Sequence, residues 1–114
     1  MDSILPSIPT LLVLQVLSAG PAHGYEIVRR IASASDGTLF LKEGTLYPLL
    51  YKLEREGLVT AAWRDDPHGH RVRVYTLTET GRGRLAKGQR DWEVRSRGVS
   101  RVLQFGEAIA RGPA

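Results

Sequence analysis

Residues 43–57 limit what this chain can fold into more than any other segment does. Leucines recur there with the spacing of one face of an α-helix, at positions 46, 49, 50 and 53. The opposite side of that helix carries polar, aromatic and basic side chains: Thr45, Pro48, Tyr51, Lys52 and Arg55. Gly57, followed by Leu58, is typical of a helix C-terminus whose next residue packs back on the last turn. The segment predicts a short amphipathic helix, and alone it leaves a DNA-reading helix and an ordinary surface helix equally open.

The hydrophobic period of the chain changes after this helix. Residues 58–64 and 72–78 are short runs rich in β-branched and aromatic side chains, and turn-forming residues lie between them. The pattern predicts a β-hairpin whose loop carries Arg71 and two histidines, His68 and His70. No third ligand accompanies the histidines, so we interpret them as exposed loop residues or DNA contacts and predict no metal site.

Two further helices are predicted ahead of residue 43. The apolar run over residues 8–19 forms the first, Gly20-Pro21 ends it, and the second covers residues 23–35, with His23 as its cap or as a backbone anchor. Residues 39–41 look extended, and we expect them to add a third strand to the hairpin. Three helices followed by a hairpin is the order of a winged helix-turn-helix domain. In that fold the third helix enters the major groove and the hairpin, called the wing, lies along the DNA backbone.

Three sequence blocks, in this order and spacing, resemble the PadR family of bacterial transcriptional regulators. They are His23–Ile27, Glu43–Leu50 and Tyr75–Thr78, with Leu53-Glu54, Gly57-Leu58 and Gly81 at matching places. The resemblance spans residues 23–81 and implies an α+β, mostly α fold. It implies a winged helix-turn-helix domain over residues 1–78 and a long C-terminal dimerisation helix over residues 79–114. The function implied is that of a sequence-specific repressor that binds an inverted-repeat operator as a homodimer and is relieved by a small aromatic effector.

The residues expected to contact double-stranded DNA fall into three groups. Phosphate contacts are assigned to Tyr25, Lys42 and Tyr47. Lys42 stands where the N-terminal dipole of the third helix also favours an anion. The major groove is expected to meet Thr45, Pro48, Tyr51, Lys52 and Arg55, and the wing is expected to use His70, Arg71 and Arg73.

The C-terminal segment has an apolar seam of its own. Thr78 and Glu79 begin a long helix, and the seam predicted to hold the homodimer consists of Leu85, Trp92, Val99, Val102 and Leu103. Glycines at positions 83, 88, 98 and 106 each weaken the helix by about 1 kcal/mol relative to alanine. A helix of this composition needs support, which we expect from a partner chain or from the first helix.

The two tryptophans invite more than one interpretation. In some PadR-like regulators, aromatic side chains of the C-terminal helix line a cleft between subunits that binds flat apolar effectors, and Trp92 stands mid-helix at such a place. A packing anchor at the dimer interface is the alternative that we favour, because interfaces are enriched in tryptophan. Trp63 is interpreted as a strand residue that covers the core.

Composition argues against several other functions. The chain has no cysteine, which removes disulfides, thiolate metal sites and a cysteine nucleophile. It shows no glycine-rich phosphate loop, no paired carboxylates on an apolar background and no nucleophile–base spacing, so we expect no enzyme, no cofactor and no metal. The apolar run over residues 8–19 is shorter than the roughly 18 residues of a membrane span. Since the N-terminus also lacks the positive region of a secretory signal, we expect a cytoplasmic protein.

The net charge of +4 is unevenly placed, and it leaves one alternative function open. Residues 1–78 carry eight basic and eight acidic side chains, whereas residues 79–114 carry eight basic and four acidic ones. A DNA-binding domain should be basic where it meets DNA. Four acidic side chains nevertheless stand beside the predicted contacts: Glu54, Glu56, Asp65 and Asp66. The alternative is a winged-helix module that binds protein and has lost DNA binding.

Overall fold

The computed structural model describes residues 8–110, with side chains described through Glu107. Its helices are α1 (Ile8–Leu17), α2 (Gly24–Ala34), α3 (Glu43–Arg55), α4 (Glu79–Leu103) and α5 (Phe105–Ala110). Its strands are β1 (Ala22–His23), β2 (Val59–Asp65) and β3 (Arg71–Leu77). The predicted fold, three helices followed by a hairpin and a long helix, is confirmed. Residues 1–7 of the predicted winged domain and residues 111–114 of the predicted C-terminal helix lie outside the described residues.

The strands form one antiparallel sheet in the order β1-β3-β2, in which β1 pairs with the middle of β3. The expectation that residues 39–41 supply the third strand is therefore wrong. Gly20, at φ +147°, turns the chain so that the two residues ahead of α2 reach the edge of β3. Phe40 is left exposed and Leu41 turns into the core, so this stretch connects two helices without joining the sheet.

The core lies between the first three helices and one half of the sheet. The leucine seam predicted on α3 is confirmed, because Leu46, Leu50 and Leu53 are at most 1 % exposed. Helices α1 and α2 meet this seam with their own buried side chains: Val13, Leu14, Leu17, Ile27, Val28 and Ile31. Full burial of one such side chain contributes about 1.5–3 kcal/mol. The seam therefore decides which side of α3 remains outside.

A compact joint sets the direction in which α4 leaves the domain. The C-terminus of α3 is closed by Gly57 at φ +77°, and the Leu58 N–H donates to the Leu53 carbonyl at 2.9 Å. Thr78, the N-cap of α4, donates its hydroxyl to the Gly57 carbonyl at 2.7 Å and accepts from the Gly81 N–H at 2.9 Å. A Cβ on Gly81 would collide with the Leu58 carbonyl oxygen. These contacts lock the start of α4 against the end of α3.

The first half of α4 packs on α1, and its second half does not. Leu85 is buried in the core, and a Cβ on Gly88 would lie 3.0 Å from Leu11 of α1. Beyond Gln89 the side chains are mostly exposed, and the described chain reaches 66 Å along its longest axis. The helix predicted as one continuous element is interrupted at Gln104, ahead of the short α5, within a stretch weakened by Gly98 and Gly106.

Candidate nucleic-acid interface

The N-terminus of α2 is held by a capping box. The Glu26 N–H donates to His23 Nδ1 at 3.4 Å, and the His23 N–H donates to Glu26 Oε1 at 3.2 Å. The prediction that His23 caps this helix is confirmed. The cap leaves Tyr25 exposed in the first turn, stacked on His23 and lying 5.6 Å from the guanidinium of Arg29.

Tyr47 lies across this helix start. A Cβ on Gly24 would come within 2.5 Å of the Tyr47 hydroxyl oxygen, so the close approach of the tyrosine ring requires glycine there. Almost half of the Tyr47 surface remains exposed. Its hydroxyl therefore stands at the positive end of the α2 dipole, a place that suits a phosphate.

The outer side of α3 is exposed, as predicted, but it divides into two flanks. The Arg55 guanidinium lies 5.4 Å from the centre of the Tyr51 ring, and both side chains are exposed. Tyr47 and Glu54 lie on the flank that faces the wing. Lys52 lies on the other flank, in a groove shared with Arg84 and Lys87 of α4. The structure therefore separates Lys52 from Tyr51 and Arg55, with which it was grouped. Lys42, Thr45 and Pro48 are exposed near the helix start.

Asp66 holds the tip of the wing in a fixed turn. Its Oδ1 accepts hydrogen bonds from the backbone N–H groups of His68 at 2.9 Å and His70 at 2.8 Å. The bond from His70 is the main reason why the pKa of the Asp66 carboxyl is lowered. Gly69, at φ +83°, completes the turn, and the His70 ring remains exposed. Asp66 thus shapes the turn through backbone contacts.

Trp63 does not cover the core, contrary to the sequence interpretation. It is 55 % exposed, and two guanidinium groups lie over its ring, that of Arg71 at 5.6 Å and that of Arg73 at 5.4 Å. The alternation of β2 places Trp63 on the same face as the buried Val59, but the outer half of the hairpin extends beyond the helices. The face that packs inward at the base of the hairpin is consequently open near its tip.

Arg73 is tied to the recognition helix α3. Its Nη2 lies 2.9 Å from Glu54 Oε2 in a half-exposed ion pair. This pairing offsets part of the charge that was assigned to DNA and links α3 to β3, while the assignment of Arg73 to the wing contacts stays a prediction. Arg71 is exposed and forms no ion pair with any residue between 8 and 110.

Most of the predicted DNA contacts lie on one continuous surface, which we call the aromatic-basic face. It lines two adjoining depressions that share Tyr47, Trp63, Arg73 and the buried Tyr75. The face comprises Tyr25, Tyr47, Tyr51, Arg55, Trp63, His70, Arg71 and Arg73. Sequence reasoning did not assign Trp63 or Arg29 to this region, and it noted Glu54 only as an acidic neighbour of the predicted contacts. Tyr25 and Arg29 are four residues apart on one helix, and this spacing was a signal from which the position of Arg29 could have been predicted.

The predicted dimer seam is divided by the structure. Leu85 belongs to the core of its own chain, so its assignment to a subunit interface is corrected. The remaining seam residues project from the second half of α4 and are exposed in the single chain: Trp92, Val99, Val102 and Leu103.

A helix with an exposed outer side, followed by a two-stranded wing, defines a winged helix-turn-helix domain, a class of DNA-binding fold. Residues 13–87 match the model of the transcriptional regulator PadR-like family. This chain belongs to that family, which confirms the resemblance seen in its motifs. The family consists of regulators of transcription rather than enzymes. No helix within residues 8–110 has the length and apolar character needed to cross a membrane.

Solved structures and a curated relative agree with this assignment. A transcriptional regulator from Clostridium thermocellum matches with a TM-score of 0.77 at 23 % identity, over 88 % of this chain and 97 % of that one. A PadR family transcriptional regulator from Eggerthella lenta matches with a TM-score of 0.66 at 34 % identity, over 83 % and 77 % of the two chains. Transcriptional regulator YqjI of Escherichia coli is 32 % identical over 71 residues, which are 62 % of this chain and 32 % of that protein.

Proposed function

We propose that this protein is a dimeric repressor that inserts α3 into the major groove and lays its wing along the DNA backbone. One observation carries the proposal: exposed aromatic and basic side chains from α2, α3 and the hairpin meet on the aromatic-basic face. Arginine beside aromatic rings is common where proteins bind nucleic acid, because the cation attracts phosphate or base edges while the ring orients it. A regulator has to reach the chromosomal DNA that it binds, so we infer a cytoplasmic location for the protein.

Within this proposal the residues divide between positioning and reading. Tyr25, Tyr47 and Lys42 stand beside helix N-termini and hold phosphates, which orient the domain without specifying sequence. Arg55, braced by Tyr51, reaches base edges, with Thr45 and Pro48 nearer the helix start. Arg71 and His70 follow the backbone from the wing. Lys52, on the flank toward α4, contacts the opposite side of the DNA major groove.

The homodimer follows from the second half of α4. Apolar side chains project there from a helix that has left the body of its own domain, and Val102 and Leu103 are more than 70 % exposed. Such a stripe favours a partner helix. Two copies would present two α3 helices about 34 Å apart or a multiple of that distance, so the operator is an inverted repeat. Trp92 anchors this interface, or lines a cleft in it that accepts a flat aromatic effector.

Two observations weigh against the alternative of a protein-binding module without DNA binding. Glu54 and Asp66 are two of the four acidic residues that suggested a protein-binding module. Glu54 forms the ion pair with Arg73, and Asp66 accepts two backbone hydrogen bonds in the wing turn. Both carboxylates are therefore already engaged within the protein, and they oppose a DNA phosphate less than free carboxylates would.

The test compares binding to the DNA upstream of the protein's own gene with binding to a random duplex. Arg55→Ala should weaken binding to the upstream site by about 1–3 kcal/mol, because a base contact is lost, and should change random binding much less. Tyr47→Phe should weaken both equally, because a phosphate contact carries no sequence information. If neither Arg55→Ala nor Lys52→Ala alters the ratio of the two affinities, α3 is not the reading helix. Absence of any duplex binding by the natural protein would favour the protein-binding module.

A further inference from the structure

We propose that Trp63 is a positioning residue of the wing, which holds the Arg71 guanidinium out toward the DNA backbone while Arg73 is turned back to α3. The inference rests on the proposed function and deepens it, because it assigns different roles to two neighbouring arginines. Neither role follows from the sequence, in which Arg71 and Arg73 look equivalent.

The register of the hairpin brings these side chains together. Trp63 pairs directly with Arg73, and Asp65 pairs with Arg71 one step nearer the tip. Residues two apart on a strand share a face, so the indole and both arginines lie on the same side of the sheet. Each guanidinium is within 5.6 Å of the ring centre, inside the distance at which a cation and an aromatic face attract.

The two arginines differ in what else they touch. Arg73 is held by the Glu54 carboxylate of α3 at 2.9 Å. That pair is nearly neutral as seen by a distant phosphate, and it connects the wing to the recognition helix. Arg71 has the Trp63 ring as its partner and no ion pair within the described part of the chain. The Arg71 guanidinium is therefore not held at ion-pair distance by any carboxylate that the structure describes, and the indole supports its charge without neutralising it.

A platform of this kind makes an arginine more effective. A long exposed side chain loses conformational freedom when it binds, and this loss reduces the affinity gained. A guanidinium that already rests on an indole has lost part of that freedom before DNA arrives. Trp63 would thus raise affinity for all sequences alike, since a phosphate contact positions without specifying.

The experiment measures binding of a labelled mixed-sequence duplex of about 30 bp by fluorescence anisotropy, between roughly 50 and 200 mM salt. The variants are Arg71→Gln, Trp63→Leu, Trp63→Phe and the double variant Trp63→Leu with Arg71→Gln. A matched control replaces both members of the ion pair, Glu54→Gln with Arg73→Gln, which leaves the net charge unchanged. The melting temperature of every variant separates loss of binding from loss of folding.

Arg71→Gln should reduce the slope of log affinity against log salt by about one unit, the signature of one lost phosphate contact. Trp63→Leu should lower affinity about two- to fivefold at low salt, the range expected for one exposed cation–aromatic contact, and should also reduce the slope. Trp63→Phe should retain most of the binding because it keeps an aromatic face. The double variant should bind no more weakly than Arg71→Gln alone, and the ion-pair control should keep the natural slope.

Several results would overturn the inference. If Trp63→Leu leaves affinity and slope unchanged, the ring is not a platform. If the effects of Trp63→Leu and Arg71→Gln add fully, Trp63 contacts DNA by itself and does not act through Arg71. If the ion-pair control loses a full unit of slope, Arg73 is a phosphate contact equal to Arg71. In each case the natural protein still binds DNA and the proposed function stands, whereas a natural protein that fails to bind the duplex overturns both.

A measurement without DNA tests the stacking itself. The chain has two tryptophans, so in a Trp92→Phe background the fluorescence reports on Trp63 alone. Arg71→Gln should raise the quenching of Trp63 by acrylamide, because it uncovers part of the ring. Unchanged quenching would show that Arg71 does not rest on Trp63 in solution, and the inference would fail whatever the DNA measurements give.

Discussion

Glycines have different surroundings in the winged domain and in the second half of α4, residues 91–103. In the domain, an added Cβ on Gly24 would strike the Tyr47 ring, and at the start of α4, which packs on the domain, an added Cβ on Gly81 would strike the Leu58 carbonyl oxygen. Around Gly98 nothing lies within 4 Å of the position that a Cβ would take. The first two glycines permit contacts that no other residue allows, whereas Gly98 only lowers helix propensity within its own chain. Glycine is thus required at positions 24 and 81, whereas the fold of the single chain gives no reason for glycine at position 98.

Apolar side chains show the same difference between the winged domain and the second half of α4. The leucines of α3 are enclosed by their own chain, whereas Val99, Val102 and Leu103 of α4 are exposed. The pattern of the winged domain is explained by contacts within one molecule. Contacts within one molecule do not explain the pattern of the second half of α4, and the proposed homodimer would explain it. Three predictions test this difference, beginning with the largest expected effect, and a fourth and smallest one concerns the wing.

Val99→Asp should dissociate the proposed homodimer completely, because a carboxylate would be buried in an apolar interface without a partner. Light scattering at micromolar concentration should give twice the 12.6 kDa chain mass for the natural protein and a single mass for the variant. Val94→Asp is the matched control, since Val94 is also exposed but lies about 140° away around the helix. Dissociation by Val94→Asp instead would move the interface to the other side of α4.

Leu50→Ala should lower the free energy of unfolding by about 2–5 kcal/mol, because it removes a fully buried side chain from the seam of α3. Leu103→Ala, which truncates a side chain that is 78 % exposed, should change it by less than about 0.5 kcal/mol. Both are measured by urea unfolding in the Val99→Asp background, so that assembly does not contribute. A large effect of Leu103→Ala in that monomer would show that the second half of α4 packs on its own domain.

Gly81→Ala should destabilise the domain by about 1–3 kcal/mol, the usual cost of forcing extra volume into a packed site. Gly98→Ala should stabilise α4 by up to about 1 kcal/mol, since it improves helix propensity in open space. Thermal unfolding of the two single variants gives the comparison directly. If Gly98→Ala destabilises the assembled protein but not the Val99→Asp monomer, Gly98 serves a close approach of the partner helix.

The smallest effect is expected from the acid–base chemistry of the wing. Because the pKa of Asp66 is lowered in the folded protein, its carboxylate stabilises the turn above the ordinary value of 3.8, and this contribution disappears as pH falls through the lowered pKa. The backbone amide resonances of His68 and His70 should therefore shift together in NMR spectra, with a midpoint below 3.8. Asp66→Asn should abolish that shift while the rest of the spectrum keeps its dispersion. A midpoint above 3.8 would contradict the hydrogen-bonded turn.

Much of the site could be predicted because it depends on helical period. The spacing of Leu46, Leu50 and Leu53 decides which side of α3 is buried, and with it the exposure of Tyr51 and Arg55. The capping role of His23 and the helix end at Gly57 are equally local, since each concerns a few neighbouring residues. Such features are set by contacts that residues make within one turn.

Features that depend on how far an element projects could not be predicted. Strand alternation assigns Trp63 to the face of the hairpin that also carries Val59, but it does not tell where the helices stop covering that face. The pairing of Arg73 with Glu54 joins residues 19 positions apart, and the third strand depends on the turn at Gly20 returning the chain to β3.

The amino-acid sequence by itself determined the order of elements, the buried side of α3 and membership of the PadR family, because all three rest on periodicity and on motifs of adjacent residues. Only the tertiary structure decided that Lys52 lies in a groove beside Arg84 and Lys87 of α4, that Leu85 belongs to the core, and that Arg71 and Arg73 have different surroundings. Each of these depends on the distance between elements and on the exposed area left after they pack. Those quantities are properties of the assembled fold and are not encoded in any single segment of the chain.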